Sequence, residues 1–116
     1  MRSFLVALTM LFSLATVAFA ADPAGTYAVE GKNPSGSAYE GTVTVSKTGD
    51  TYHVEWEVGG TKFVGTAIGN NEFLAITYRS GENTGLALFG QDGGNWKGVW
   101  TYAGGTSIGA ELWKRQ

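Results

Sequence analysis

Three groups of residues in this sequence have the chemistry to form a site. His53, Glu55 and Glu57 alternate along one stretch. On a strand they share a face, at steps of roughly 6.5–7 Å. They are the right types for a divalent metal. Those steps are too long for neighbours to close on one ion without another strand, so a solvated outer face is expected, with no metal and no cofactor. The second group is aromatic: Tyr27, Tyr39, Tyr52, Trp56, Tyr78, Trp96, Trp100 and Tyr102. Buried tyrosine and tryptophan polar atoms need partners, and a cavity for a small planar or apolar ligand would give them a use. The competing expectation is an interior filled by these same side chains, as small barrels often are. The third group is Glu111, a carboxylate near aromatic positions that could orient a ligand amine or hydroxyl. Its donors would be tyrosine hydroxyls, the indoles of Trp96 and Trp100, and Ser107. The candidate ligand-binding set is therefore Glu111, Trp96, Trp100, Tyr52, Tyr78 and Tyr102. The Gln91-Asp92-Gly93-Gly94 stretch could be a binding loop, but a plain hairpin turn is expected.

The chain that must position these groups has 116 residues, no cysteine and one histidine. There is no cysteine nucleophile, no histidine-rich metal site, no phosphate loop and no dinucleotide fingerprint. No base, nucleophile and orienter occur together, so an enzyme built on Glu111 and the tyrosines is the weakest reading. Residues 1–20 read as a secretory signal peptide: Arg2, an apolar run from Phe4 to Phe19, and the Ala18-Phe19-Ala20 cleavage pattern. Residues 21–116 then form one domain in the periplasm or outside the cell. Losing Arg2 leaves seven basic against ten acidic residues, a formal charge of −3. That charge argues against nucleic acid as a partner. No membrane span is expected after cleavage.

An internal repeat organises the domain. GTVTVSKTGDTYHVEWEVGGTKFVGTAI, from Gly41, aligns without a gap on GLALFGQDGGNWKGVWTYAGGTSIGAEL, from Gly85, at an offset of 44. Gly49 meets Gly93, Trp56 meets Trp100, Gly60 meets Gly104 and Gly65 meets Gly109. Alternation and recurrent turn residues predict eight strands, at 25–31, 37–47, 50–58, 61–69, 72–79, 84–91, 94–102 and 106–113. Two-residue turns at Thr48-Gly49, Gly59-Gly60, Asn70-Asn71, Gly81-Glu82 and Asp92-Gly93 set a register for each pair. All registers place one apolar set, including every tyrosine, on one face. Trp56 falls over Gly41 and Trp100 over Gly85, indoles covering strand glycines. The opposite face carries Glu40, Thr42, Thr44, His53, Glu55, Glu57, Lys62 and Lys97, and is expected to be wet. The expected fold is all-β, an eight-stranded antiparallel up-and-down barrel of two four-stranded repeats that closes its own edges. A two-sheet β-sandwich is the alternative. The repeat turns Glu111 inward, where Ala67 sits in the first copy, beside Trp96. The apolar alternation of Ile108, Ala110 and Leu112 turns it outward. A one-residue bulge at Ala103-Gly104-Gly105 would reconcile the two.

The stretch GTYAVEGKNPSGSAYEGTVTVSKTGDTYHVEWEVGG, with the later GVW and GAEL, resembles a group of small exported bacterial proteins. Many of these are hypothetical, and some are labelled fibronectin-binding protein. The resemblance covers about residues 25–112 and rests on turn and packing positions, so it implies a fold and supplies no catalytic residues. Gly25-Thr26-Tyr27 and Gly98-Val99-Trp100 are similar to the Gly-x-Trp pattern of calycin-type barrels, without the lipocalin disulfides and helix. Ala24-Gly25-Thr26-Tyr27 is similar to the start of small periplasmic protease-inhibitor barrels.

These readings imply an exported, non-enzymatic binding protein, possible partners being a protein surface of the fibronectin-binding type or a small apolar or aromatic ligand. The alternative is an inhibitor of an exported protease or other hydrolase, acting through Ala21-Asp22-Pro23-Ala24 or a rim loop. An open aromatic mouth would favour a ligand, and a filled core with a protruding N-terminus an inhibitor.

Overall fold

The computed structural model describes residues 21–116; the expected signal peptide lies outside the described residues. Eight strands run in chain order: β1 (Gly25–Lys32), β2 (Ala38–Thr48), β3 (Thr51–Val58), β4 (Thr61–Gly69), β5 (Phe73–Ser80), β6 (Asn83–Asp92), β7 (Asn95–Tyr102) and β8 (Gly109–Arg115). Each pairs antiparallel with the next, and β8 pairs back onto β1, giving a closed barrel. Closure satisfies the strand edges that an open sheet would leave unpaired.

The turns explain both the correct and the corrected registers. Four hairpins have two-residue loops, Gly49-Asp50, Gly59-Gly60, Gly81-Glu82 and Gly93-Gly94. In each the first loop residue is a glycine with φ between 58° and 62°. Primed hairpin turns need a positive φ there, and glycine adopts it without strain. Gly59-Gly60 and Gly81-Glu82 therefore give the expected pairs, including Trp56 with Phe63 and Tyr78 with Gly85. The expected turns Thr48-Gly49 and Asp92-Gly93 put glycine second, and the structure moves both loops on by one residue. Val43 therefore faces Trp56, and Ala87 faces Trp100. At Asn70-Asn71 the connection is longer. The Asn70 side chain accepts the backbone N–H of Glu72 at 2.8 Å, and Ala67 pairs with Ile76 rather than Leu74. All three corrections shift the pairing by two residues, so no side chain changes face.

The tryptophans do cover glycines, but not the expected ones. A Cβ on Gly65 would lie 3.2 Å from the Trp56 ring, and one on Gly109 only 2.5 Å from the Trp100 ring. Gly65 and Gly109 are repeat equivalents, so the duplication survives in the packing. Gly41 instead makes room for the Glu57 carbonyl and Val58, and Gly85 for the Tyr78 hydroxyl and the Thr101 carbonyl.

Two further expectations are corrected. β8 starts at Gly109, after a long Ala103–Ile108 connection, and there is no bulge that turns Ile108 inward: Ile108 is 63% exposed. The outer face is wet on β1–β3 but not all round. Ile68, Ala75, Leu88, Val99 and Ala110 form one continuous cross-strand row on the outside of β4–β8, with Ile68, Leu88 and Val99 exposed.

The two ends of the barrel differ. At one end Pro23 is fully buried and its carbonyl accepts the Tyr27 hydroxyl at 2.5 Å. Arg115 donates to the carbonyls of Asp22, Ala24 and Gly94 and to the Tyr27 hydroxyl, with its guanidinium 4.8 Å from the Tyr27 ring centroid. Gln91 holds the Ala21 carbonyl and the Gly94 amide through its side chain, so the Gln91–Gly94 stretch is a structural turn and fastening. Above this plug Tyr27, Trp96, Trp113, Phe89, Leu74 and Val54 pack at 0–1% exposure. The other end, bounded by the β1–β2, β3–β4, β5–β6 and β7–β8 connections, holds the candidate site.

Candidate functional site in the barrel mouth

The interior is filled only in its closed half. Below the mouth lies a cavity of about 180 Å³, walled by Tyr39, Trp56, Phe63, Tyr78 and Trp100, with Tyr102 and Asn33 at the rim and Glu111 among its lining. The rings meet edge to face: Trp56 with Tyr78 at 5.7 Å, Tyr39 with Trp100 at 6.2 Å and Tyr78 with Trp100 at 6.4 Å between centroids.

Glu111 points inward, as the repeat requires, and the alternation of Ile108, Ala110 and Leu112 is overturned. Its neighbours across the sheet are Gly31 on β1 and Gly98 on β7, not Trp96. Both glycines give way to rings from the next strand. A Cβ on Gly31 would meet the Tyr39 ring, and one on Gly98 the Phe89 ring. Aromatic side chains can therefore close around the carboxylate from both sides.

The donors to Glu111 differ from those expected. Tyr39 Oη donates to Oε1 at 2.5 Å, Trp56 Nε1 to Oε2 at 2.7 Å and Trp113 Nε1 to Oε2 at 2.6 Å. Trp96 Nε1 and Trp100 Nε1 are buried without a well-formed hydrogen bond among the described residues, and the Ser107 carbonyl accepts from Thr101. Burial pushes the Glu111 carboxyl above its ordinary range, while the bonds from Tyr39, Trp113 and Trp56 pull the other way. Burial raises Tyr39 strongly, with the adjacent Glu111 charge adding to it. Burial, Tyr102 and Glu111 push Tyr78 up to about 12. All three donors are neutral, and among the described residues no Lys, Arg or His lines the cavity.

Of the candidate residues, the structure brings Glu111, Trp100, Tyr78 and Tyr102 to the cavity. Tyr102 sits at the rim, 48% exposed. Tyr52 and Trp96 belong to the buried core and do not line it. Phe63 and Trp113 were not legible as site residues. Phe63 faces Trp56, which the glycine turn did predict; Trp113 could have been found by extending the inward set of β8 by one step from Glu111. His53 lies on the outside, 3.3 Å from Glu55, which also approaches Lys62 at 3.9 Å.

The fold and the mouth together define a small closed eight-stranded β-barrel with an aromatic cavity at one end. Among solved structures it is similar to a redesigned β-barrel, at 15% identity and a TM-score of 0.68, over 80% of this chain and 91% of that one. At that identity the likeness carries the barrel fold alone. No family model matches the chain, and no curated protein matches it. Among the described residues no helix is long and apolar enough to cross a membrane.

Proposed function

We propose that this chain is an exported, non-enzymatic binding protein that takes a small ring-shaped ligand into the barrel mouth. The observation that carries this reading is the 180 Å³ aromatic cavity with a carboxylate in its lining. An apolar cavity of roughly 150 Å³ is enough to hold benzene, so this one suits a single substituted ring. Glu111 would orient the polar substituent. Arg115 and Gln91 fasten Ala21–Ala24 to the closed end, which favours this reading over an inhibitor acting through that segment. The test is titration with benzyl alcohol and p-cresol, followed by the indole N–H resonances. Trp56 and Trp100 should shift while Trp96 stays still, and Ala87→Leu, which fills the cavity, should abolish the response. No shift at millimolar ring compound would refute the reading.

A second reading is a protein partner, supported by the exposed row through Ile68, Leu88 and Val99 and by the resemblance to proteins labelled fibronectin-binding. Exposed apolar patches of this kind often mark protein contacts. Immobilised fibronectin, with a similarly charged barrel as control, tests it. Retention no greater than the control's would remove it.

A further inference from the structure

We infer that the mouth selects an organic ammonium ion over an uncharged ring of the same shape, a specificity that rests on the small-ligand reading above. Four observations converge on it. Among the described residues Glu111 is the only carboxyl group lining the cavity, and no basic side chain lines it. The three groups that bind the carboxylate, Tyr39 Oη, Trp56 Nε1 and Trp113 Nε1, are all neutral donors. They solvate the negative charge without cancelling it. Two of the three use Oε2, while Oε1 takes only Tyr39. A carboxylate offers about four acceptor positions, so a fourth donor can still be received.

The walls point the same way. Ring faces carry negative potential and attract cations, most strongly where water is excluded. Tyr39, Trp56, Phe63, Tyr78 and Trp100 surround the space next to the carboxylate. An anionic ligand would meet the carboxylate with the wrong sign. A neutral ring gains the apolar contact but leaves the charge uncompensated. An alkylammonium on a ring gains the contact, the Oε1 hydrogen bond and the charge. Burial of Glu111 weakens its carboxylate form in the free protein, and a bound cation would restore it.

The experiment compares benzylammonium with benzyl alcohol, which share shape and differ in charge. Calorimetry and the indole N–H shifts of Trp56 and Trp113 report binding to the wild-type chain at neutral pH. Benzylammonium should bind at least about tenfold more tightly. In Glu111→Gln the two should bind within about twofold of each other. Equal binding of both by the wild type would overturn the cation inference and leave the ring-binding reading standing. Binding of benzyl alcohol alone would do the same. Binding of neither would overturn both. Because the wild-type pair decides alone, the outcome does not depend on the variant folding.

Discussion

Replacing Glu111 with leucine removes the acceptor for three donors at once, and Glu111→Gln provides the matched control. In the leucine variant Tyr39 Oη, Trp56 Nε1 and Trp113 Nε1 all lose their partner. A buried donor left unsatisfied costs about 1–3 kcal/mol, so three cost roughly 3–9 kcal/mol. No longer holding a carboxylate in an apolar setting offsets part of this. The expected net loss is about 2–5 kcal/mol, a large fraction of the roughly 5–15 kcal/mol available to a small domain. Glutamine keeps the geometry: its carbonyl oxygen can accept both indoles, and its amide can donate to the Tyr39 hydroxyl. It should cost no more than about 1 kcal/mol. Urea unfolding at neutral pH measures both, and the slope should stay unchanged if the native compactness is kept. If the leucine variant is as stable as the glutamine variant, the three bonds are not holding the mouth together and the account of Glu111 is wrong.

Wild-type stability should fall as pH rises from about 4.5, the ordinary carboxyl value, through the raised value of Glu111. Over that window the folded state holds a proton that the unfolded state has lost. Glu111→Gln should flatten the slope there, as read by denaturant midpoints at successive pH values; an identical slope in the variant would assign it to other groups. Gly65→Val and Gly109→Val should each press on a tryptophan, Trp56 or Trp100, and cost on the order of 1–3 kcal/mol through overpacking. Full stability of both by thermal unfolding would contradict the observed registers. Arg115→Ala should free Asp22–Ala24 from the closed end, raising amide exchange across that segment while leaving ligand shifts at Trp100 intact. Unchanged exchange would show that Pro23 burial alone holds the plug.

Alternation and turn residues carried the barrel, the eight strands and the inward face, because both are local. A strand's side chains alternate with period two whatever it pairs with, and a glycine pair between two such runs marks a hairpin. The same locality explains the misplaced registers at β2–β3, β4–β5 and β6–β7. Slips of two residues leave every side chain on its own face, so alternation cannot detect them. What separates them is the turn geometry, a positive φ at the first loop residue, which is why glycine leads each of the four tight turns. The repeat carried the orientation of Glu111 where local hydropathy pointed the other way, since duplication preserves topology even when a residue type changes.

The carboxylate's partners come from β2, β3 and β8, and the cavity walls from strands scattered around the barrel. Whether those rings would fill the interior or leave a space depended on which glycines sat beneath them. Gly31, Gly65, Gly98 and Gly109 receive Tyr39, Trp56, Phe89 and Trp100, and each of these contacts joins two strands. The sequence by itself determined which residues face inward on most strands, because the backbone alternates them, while on β8 the repeat and the apolar alternation pointed opposite ways. Only the tertiary structure decided which of them meet, because contacts across a closed barrel depend on the strand registers around it, and a slip at any pair re-aims every ring beyond it.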